Sequence, residues 1–209
     1  MENIIQYIQA NWLEIFSFIT GVLFLIYEVR QKNMMWIICI VASSVCAIVF
    51  YRESLYASMC LNIYYVGTAV WGIWAWMRDA KKLKSTASET STEDGKDKIH
   101  LRPLKLKVVI ISLVAFAVLS VALMFLLRRI GDESSVLDAM VFVLSIIATI
   151  WLVKTYLHQW LVWIAADVLS TVMCFNQEMY WMALLYTFYS LSAIYGFWHW
   201  KRRGVYLNN

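Results

Sequence analysis

The chain is a succession of apolar runs, most of them joined by connections only a few residues long. A bilayer-spanning helix needs about 20 mainly apolar residues. Seven such segments are read at 12–29, 34–51, 55–77, 106–127, 136–153, 159–176 and 179–199. Strands of a membrane barrel would alternate over about ten residues. These runs are longer and continuous, so they are helices, and short connections such as Arg30–Asn33 and Arg52–Ser54 make neighbours antiparallel. Composition agrees. Of the 209 residues 62% are hydrophobic and 15% are charged, with a mean hydropathy of +0.63, whereas soluble domains carry roughly 25% charge. A soluble domain of this size has no way to cover so much apolar surface. Soluble, disordered, fibrous and disulfide-rich secreted classes are excluded, and the fold class is an all-α, multi-pass membrane protein.

One segment breaks the pattern. Residues 78–105 are charged and rich in Ser and Thr, and read as a flexible cytoplasmic loop between two halves. The net charge of +4 reflects Lys and Arg held on one side of the membrane. With the N-terminus outside, 15 of the 18 basic residues fall inside, and only Arg52, Arg128 and Arg129 fall outside. This bias predicts an outer N-terminus and a cytoplasmic C-terminus. No cleavable signal is expected, since Met1–Asn11 has no Lys or Arg. Cys39, Cys46, Cys60 and Cys174 lie in apolar runs without metal-ligand spacing and read as packing residues.

The chain also matches itself at an offset of 124 residues. Leu13-Glu14 falls on Leu137-Asp138, Trp36 on Trp160, Ile40 on Ile164, Tyr56 on Tyr180 and Tyr65 on Tyr189. Ala69, Gly72, Trp74, Trp76 and Arg78 then fall on Ala193, Gly196, Trp198, Trp200 and Arg202, without a gap. A three-helix repeat over 12–77 therefore recurs over 136–200, with 106–127 as a linking helix. Three helices plus one restore the same direction in the membrane, so the repeats are parallel. Carriers built this way hold their substrate near mid-membrane.

Polar groups inside apolar helices are candidates for function. Asp167 lies eight residues into the sixth segment, and its repeat partner is Ser43. Trp160, Trp163 and Asp167, spaced i, i+3, i+7, fall within about 60° of one another on a helix. One face thus offers two indoles and a carboxylate, which suits an organic cation with a flat ring. A structural Asp bonded to Ser or Thr of a neighbouring helix is the plainer alternative. Asn62, with Tyr186 as its repeat partner, lies one turn before Tyr65, as Tyr186 does before Tyr189. These four side chains suit hydroxyl or ring-nitrogen recognition, or interhelical packing. Glu14 and Asp138, a repeat pair near the outer helix ends, read as gating or structural. Glu28, beside Arg30 and Lys32, reads as solvated. The Trp74/Trp76 and Trp198/Trp200 pairs read as an interfacial aromatic belt. His100, His158 and His199 have no ligand partner at metal spacing, and no cofactor motif or phosphate loop is present.

The YAS stretch Tyr56–Ser58, the GxWxW end Gly72–Trp76, the WLVWIAADVLS stretch Trp160–Ser170 and, more weakly, Tyr180–Trp200 resemble the Pnu-type vitamin transporters, the nicotinamide riboside transporter family. The resemblance implies a 3+1+3 fold similar to the SWEET sugar carriers, in the inner membrane of a bacterium. It implies facilitated diffusion of a vitamin that a cytosolic kinase then traps. It also implies that Trp160, Trp163, Asp167 and Asn62 line the site. Family members carry Asn where this chain has Asp167 and Gln where it has Asn62, which leaves the related thiamine carriers as an alternative. Both vitamins hold a fixed cationic ring. A proton-coupled carrier using Asp167, and a membrane enzyme or redox protein using the same carboxylate, are the further alternatives; the reading itself is not an enzyme. Lipid and the vitamin are the expected partners, with no nucleic acid, no metal and room for a homo-oligomer.

Overall fold

A computed structural model describes residues 12–52, 56–87, 99–129, 135–176, 178 and 180–206. Seven long helices occupy these residues: α1 Trp12–Val29, α2 Met34–Arg52, α3 Tyr56–Ala87, α4 Leu106–Arg129, α5 Ser135–Val153, α6 Gln159–Asn176 and α7 Tyr180–Arg203. Two short strands, β1 Ile99–Leu101 and β2 Gly204–Tyr206, complete the described elements. The chain divides into two compact units at Glu93/Asp94. In the first, α1 packs on α2 and α2 on α3. In the second, α4 packs on α5, α5 on α6 and α6 on α7.

Among the described residues, Leu106–Arg129, Val136–Val153 and Gln159–Asn176 are long and apolar enough to cross a membrane. Shorter apolar helical stretches cover Phe18–Val29 and Met34–Val49. The other two helices, α3 and α7, are rich in Tyr and Trp and carry basic residues toward their C-terminal ends, which lowers their apolar character.

The turn between α1 and α2 and that between α5 and α6 are built alike. Gln31 and Thr155, 124 residues apart, both take a left-handed backbone, with φ of 49° and 55°. Gln31 N donates to Glu28 O at 2.9 Å and Lys32 N to Tyr27 O at 2.9 Å. Thr155 N donates to Leu152 O at 2.9 Å and Tyr156 N to Trp151 O at 3.0 Å. This paired pattern is the Schellman closure of a helix C-terminus. It reverses the chain within a few residues, so antiparallel neighbours follow directly.

Two expectations are corrected here. Residues 78–105 are not one loop. The good helix formers around Lys81–Lys84 carry α3 ten residues further, to Ala87. At the other end, Ile99 and Leu101 are buried and pair in parallel with Gly204 and Tyr206; residues 88–98 lie outside the described residues. Leu101 packs on Gly204 where a side chain would clash, and Arg102 N donates to Thr155 O at 3.2 Å. Glu28 is not solvated but only 2% exposed. Its repeat counterpart Leu152 is buried as well, so this position faces inward in both units.

The linking helix α4 is held on one side only. Val108, Val109, Phe116 and Leu123 pack against Val143, Ile147 and Trp151 of the second unit. Trp151 Nε1 donates to Ser112 Oγ at 3.1 Å. Leu113, Val118 and Leu126 on its other faces are exposed, as expected where lipid is the solvent.

Candidate functional site

The two units carry the same aromatic joint. In the first, Trp36 meets Trp76 edge-on, with ring centroids 5.4 Å apart at 76°. In the second, Trp160 meets Trp200 with centroids 5.4 Å apart at 90°. Each inner ring lies on a glycine. A Cβ added to Gly72 would fall within 3.0 Å of Trp36 ring carbons, and one added to Gly196 within 3.0 Å of those of Trp160. The exposed member of each tryptophan pair behaves differently. Trp74 and Trp198 are 58% and 53% exposed, with Arg78 over Trp74 at 4.7 Å and Arg202 over Trp198 at 5.3 Å. Such indole–guanidinium pairs suit a membrane–water boundary. The aromatic-belt expectation therefore applies to one tryptophan of each pair, and the other is an interior residue.

Antiparallel packing makes each joint a register mark. From Trp160, seven residues along α6 lead to Asp167. From Gly196, seven residues back along α7 lead to Tyr189. Both steps are about 10 Å. Asp167 indeed lies within electrostatic reach of Tyr189 and of Tyr186. Tyr186 and Tyr189 meet each other edge-on at 6.2 Å and 83°. The first unit repeats the geometry with uncharged groups. From Trp36 and Gly72 the same steps lead to Ser43 and Tyr65, and Cys39 Sγ joins them, 3.9 Å from Ser43 Oγ and 3.9 Å from Tyr65 O.

Asp167 is buried, at 8% exposure. No Lys or Arg occurs in α5 or α6, and those of α7 are confined to its last turn. Several hydroxyls of α5, α6 and α7 are turned to their own helices. Ser170 and Thr171 donate to Ala166 O and Asp167 O, at 2.9 and 2.8 Å. Thr187 donates to Ala183 O, and Ser145 and Thr149 to Val141 O and Ser145 O, all at 2.8 Å. Hydroxyls bonded four residues back are common in apolar helices. Trp163, half-buried and one turn before Asp167, keeps its indole N–H buried without an acceptor. A carboxylate in apolar helices is costly without a cation, and here the helices around it supply none.

The other expected residues are placed as follows. Trp160 is 1% exposed, its ring covered by Gly196 and Trp200. Asp138, half-buried near the start of α5, lies within electrostatic reach of Cys174 and Tyr186. Asn62 and Tyr65 are half-buried, one turn apart on α3 of the first unit. The side chains of Glu14, Tyr56, Ala57 and Ser58 lie outside the described residues. Sequence reasoning missed Gly72 and Gly196 as packing positions. Their signal was the constant offset, which pairs them together with both tryptophans.

Repeated three-helix patterns, apolar spans and a buried carboxylate beside aromatic rings define a multi-pass helical membrane protein of the transporter class. A family model described as nicotinamide mononucleotide transporter matches residues 11–202, and the chain belongs to that family. The nicotinamide riboside transporter PnuC of Escherichia coli (strain K12) is 25% identical over 209 residues, covering 89% of this chain and 83% of that one. The PnuC of Neisseria mucosa is 26% identical over 204 residues, covering 92% and 73%. The crystal structure of the vitamin B3 transporter PnuC superposes with a TM-score of 0.68 at 20% identity, covering 96% of this chain and 85% of that chain, and so has the same fold.

Proposed function

We propose that this protein is a nicotinamide riboside carrier of a bacterial cytoplasmic membrane, working by facilitated diffusion. The observation that carries the reading is the buried Asp167 carboxylate, one turn from Trp163 and within electrostatic reach of Tyr186 and Tyr189, with no Lys or Arg in α6 and those of α7 confined to its last turn. Nicotinamide riboside has a flat, permanently cationic ring. Asp167 offsets that charge, Trp163 lies along the ring face, and the two tyrosine hydroxyls supply polar contacts. The relatives named as nicotinamide riboside transporters support the substrate class. The internal repeat at a constant offset of 124 residues supports a carrier built from two three-helix repeats, and the Lys and Arg distribution supports an outer N-terminus. A cytosolic kinase that phosphorylates the vitamin keeps the inward gradient, so no ion coupling is needed.

The test is vitamin binding to the purified protein and its Asp167→Ala variant, which removes the carboxylate altogether, since Asn is the residue that family members carry at this position. Nicotinamide riboside is expected to bind the native chain, and the variant is expected to lose binding while keeping its thermal unfolding temperature. Unchanged affinity in the variant refutes the site. Thiamine, tried in the same assay, is expected to bind more weakly; tighter binding moves the assignment to the thiamine carriers. Uptake into liposomes is expected to be the same with and without a pH gradient, and acceleration by the gradient refutes the uncoupled mechanism.

A further inference from the structure

The two aromatic joints separate packing from substrate chemistry. If Trp160 were present to stack on a cation, its counterpart Trp36 would have no reason to repeat it, because the position matching Asp167 in the first unit is Ser43. Yet Trp36 and Trp160 are both 1% exposed, both lie on a glycine seven residues beyond a tyrosine, and both meet a second tryptophan at 5.4 Å. Neither ring presents a face. What the joints share is geometry: each pins two antiparallel helices at one level.

Resting on the carrier reading above, we infer that Trp160 is a positioning residue. It seats in the Gly196 slot of α7 against Trp200, and thereby fixes the register that brings Asp167 level with Tyr189, seven residues from the joint on each helix. The leverage is simple. Asp167 and Tyr189 each stand seven residues from the joint, about 10 Å along their helices. A slip of α6 on α7 by one residue moves the carboxylate about 1.5 Å relative to both phenols. Close packing resists such a slip, because the indole fills the space that a Cβ at residue 196 would take, and every residue beside Gly196 on α7 carries a Cβ. The substrate ring then falls to Trp163, the tryptophan that is only half-buried.

Complementary size changes test this. Trp160→Phe leaves the slot underfilled, and Gly196→Ala crowds it. Each is expected to weaken nicotinamide riboside binding roughly ten-fold, measured well below the unfolding temperature of each variant. In Trp160→Phe/Gly196→Ala the smaller ring leaves space for the added methyl, and most of the loss is expected to be recovered, the coupling of two groups in contact. Three results overturn the inference. Loss in Trp160→Phe with native affinity in Gly196→Ala means that Trp160 touches the vitamin directly. Native affinity in both, with lowered unfolding temperatures, means that the joint is structural only. Loss in both singles without recovery in the double variant means that register is not what they share. Asp167→Ala is run alongside: if it binds like the native chain, the carrier site itself has failed, whatever the Trp160 variants do.

Discussion

Gly72 receives the Trp36 indole so closely that a single added methyl would fall within 3.0 Å of its ring carbons. Gly67, five residues earlier on the same helix, has nothing within 4 Å of the same construction. The two glycines therefore answer the same substitution with opposite signs. Gly72→Ala is expected to destabilise by about 1–3 kcal/mol through overpacking. Gly67→Ala is expected to stabilise by up to about 1 kcal/mol through helix propensity. Thermal unfolding of the detergent-purified variants checks both.

Trp163 is expected to contribute to substrate affinity through its ring. A desolvated cation over an indole gains about 2 kcal/mol, which corresponds to roughly 30-fold in affinity. Trp163→Ala is expected to lose about that factor in titration calorimetry, and Trp163→Phe, which keeps a smaller aromatic face, to lose less. Equal affinity in Trp163→Ala and the native chain excludes the ring from the site.

Thr155 combines a left-handed backbone, φ 55°, with a buried hydroxyl that meets no partner. A β-branched residue in that conformation costs roughly 1–2 kcal/mol, and Gly adopts it freely. Thr155→Gly is expected to stabilise by about 1 kcal/mol after loss of the methyl contact, read as a raised unfolding temperature. A lowered one indicates that Thr155 packing outweighs its strain.

Ser112 accepts the Trp151 indole N–H across the α4–α5 contact. Ser112→Ala is expected to strand that donor and cost about 1–3 kcal/mol. Trp151→Phe removes the donor along with part of the ring, and breaks the edge contact with Tyr156 at 6.1 Å. In the Trp151→Phe background, Ser112→Ala is expected to cost little more, and a double-mutant cycle on unfolding temperatures measures the coupling.

Much of the fold was legible in the residues alone. The ends of α1, α2, α5 and α6 fall within about a residue of the expected spans, because an apolar run of spanning length leaves a helix few alternatives. The repeat was legible too, since tryptophan and glycine matched at one constant offset. The C-terminal half of α3 was not, because Lys, Ala and Leu suit an exposed helix as well as a loop. Asp167 was legible as a candidate, being an acid in an apolar run. Its neighbours on α7 were suggested by the repeat alone.

Among the described residues, the sequence by itself determined that seven long apolar segments are helices, where most of them begin and end, and that the chain matches itself at a constant offset of 124 residues. It left open which face of each helix points inward. In lipid, both the packed and the outward faces are apolar, so hydrophobic pattern carries little orientation. Only the tertiary structure decided that Trp36, Trp76, Trp160 and Trp200 are interior while Trp74 and Trp198 face outward beside their arginines. It likewise buried Glu28 and brought Asp167 within electrostatic reach of two tyrosines. The physical reason is steric. A ring fits where a glycine on the next helix leaves room for it, and that match exists only once two helices lie side by side.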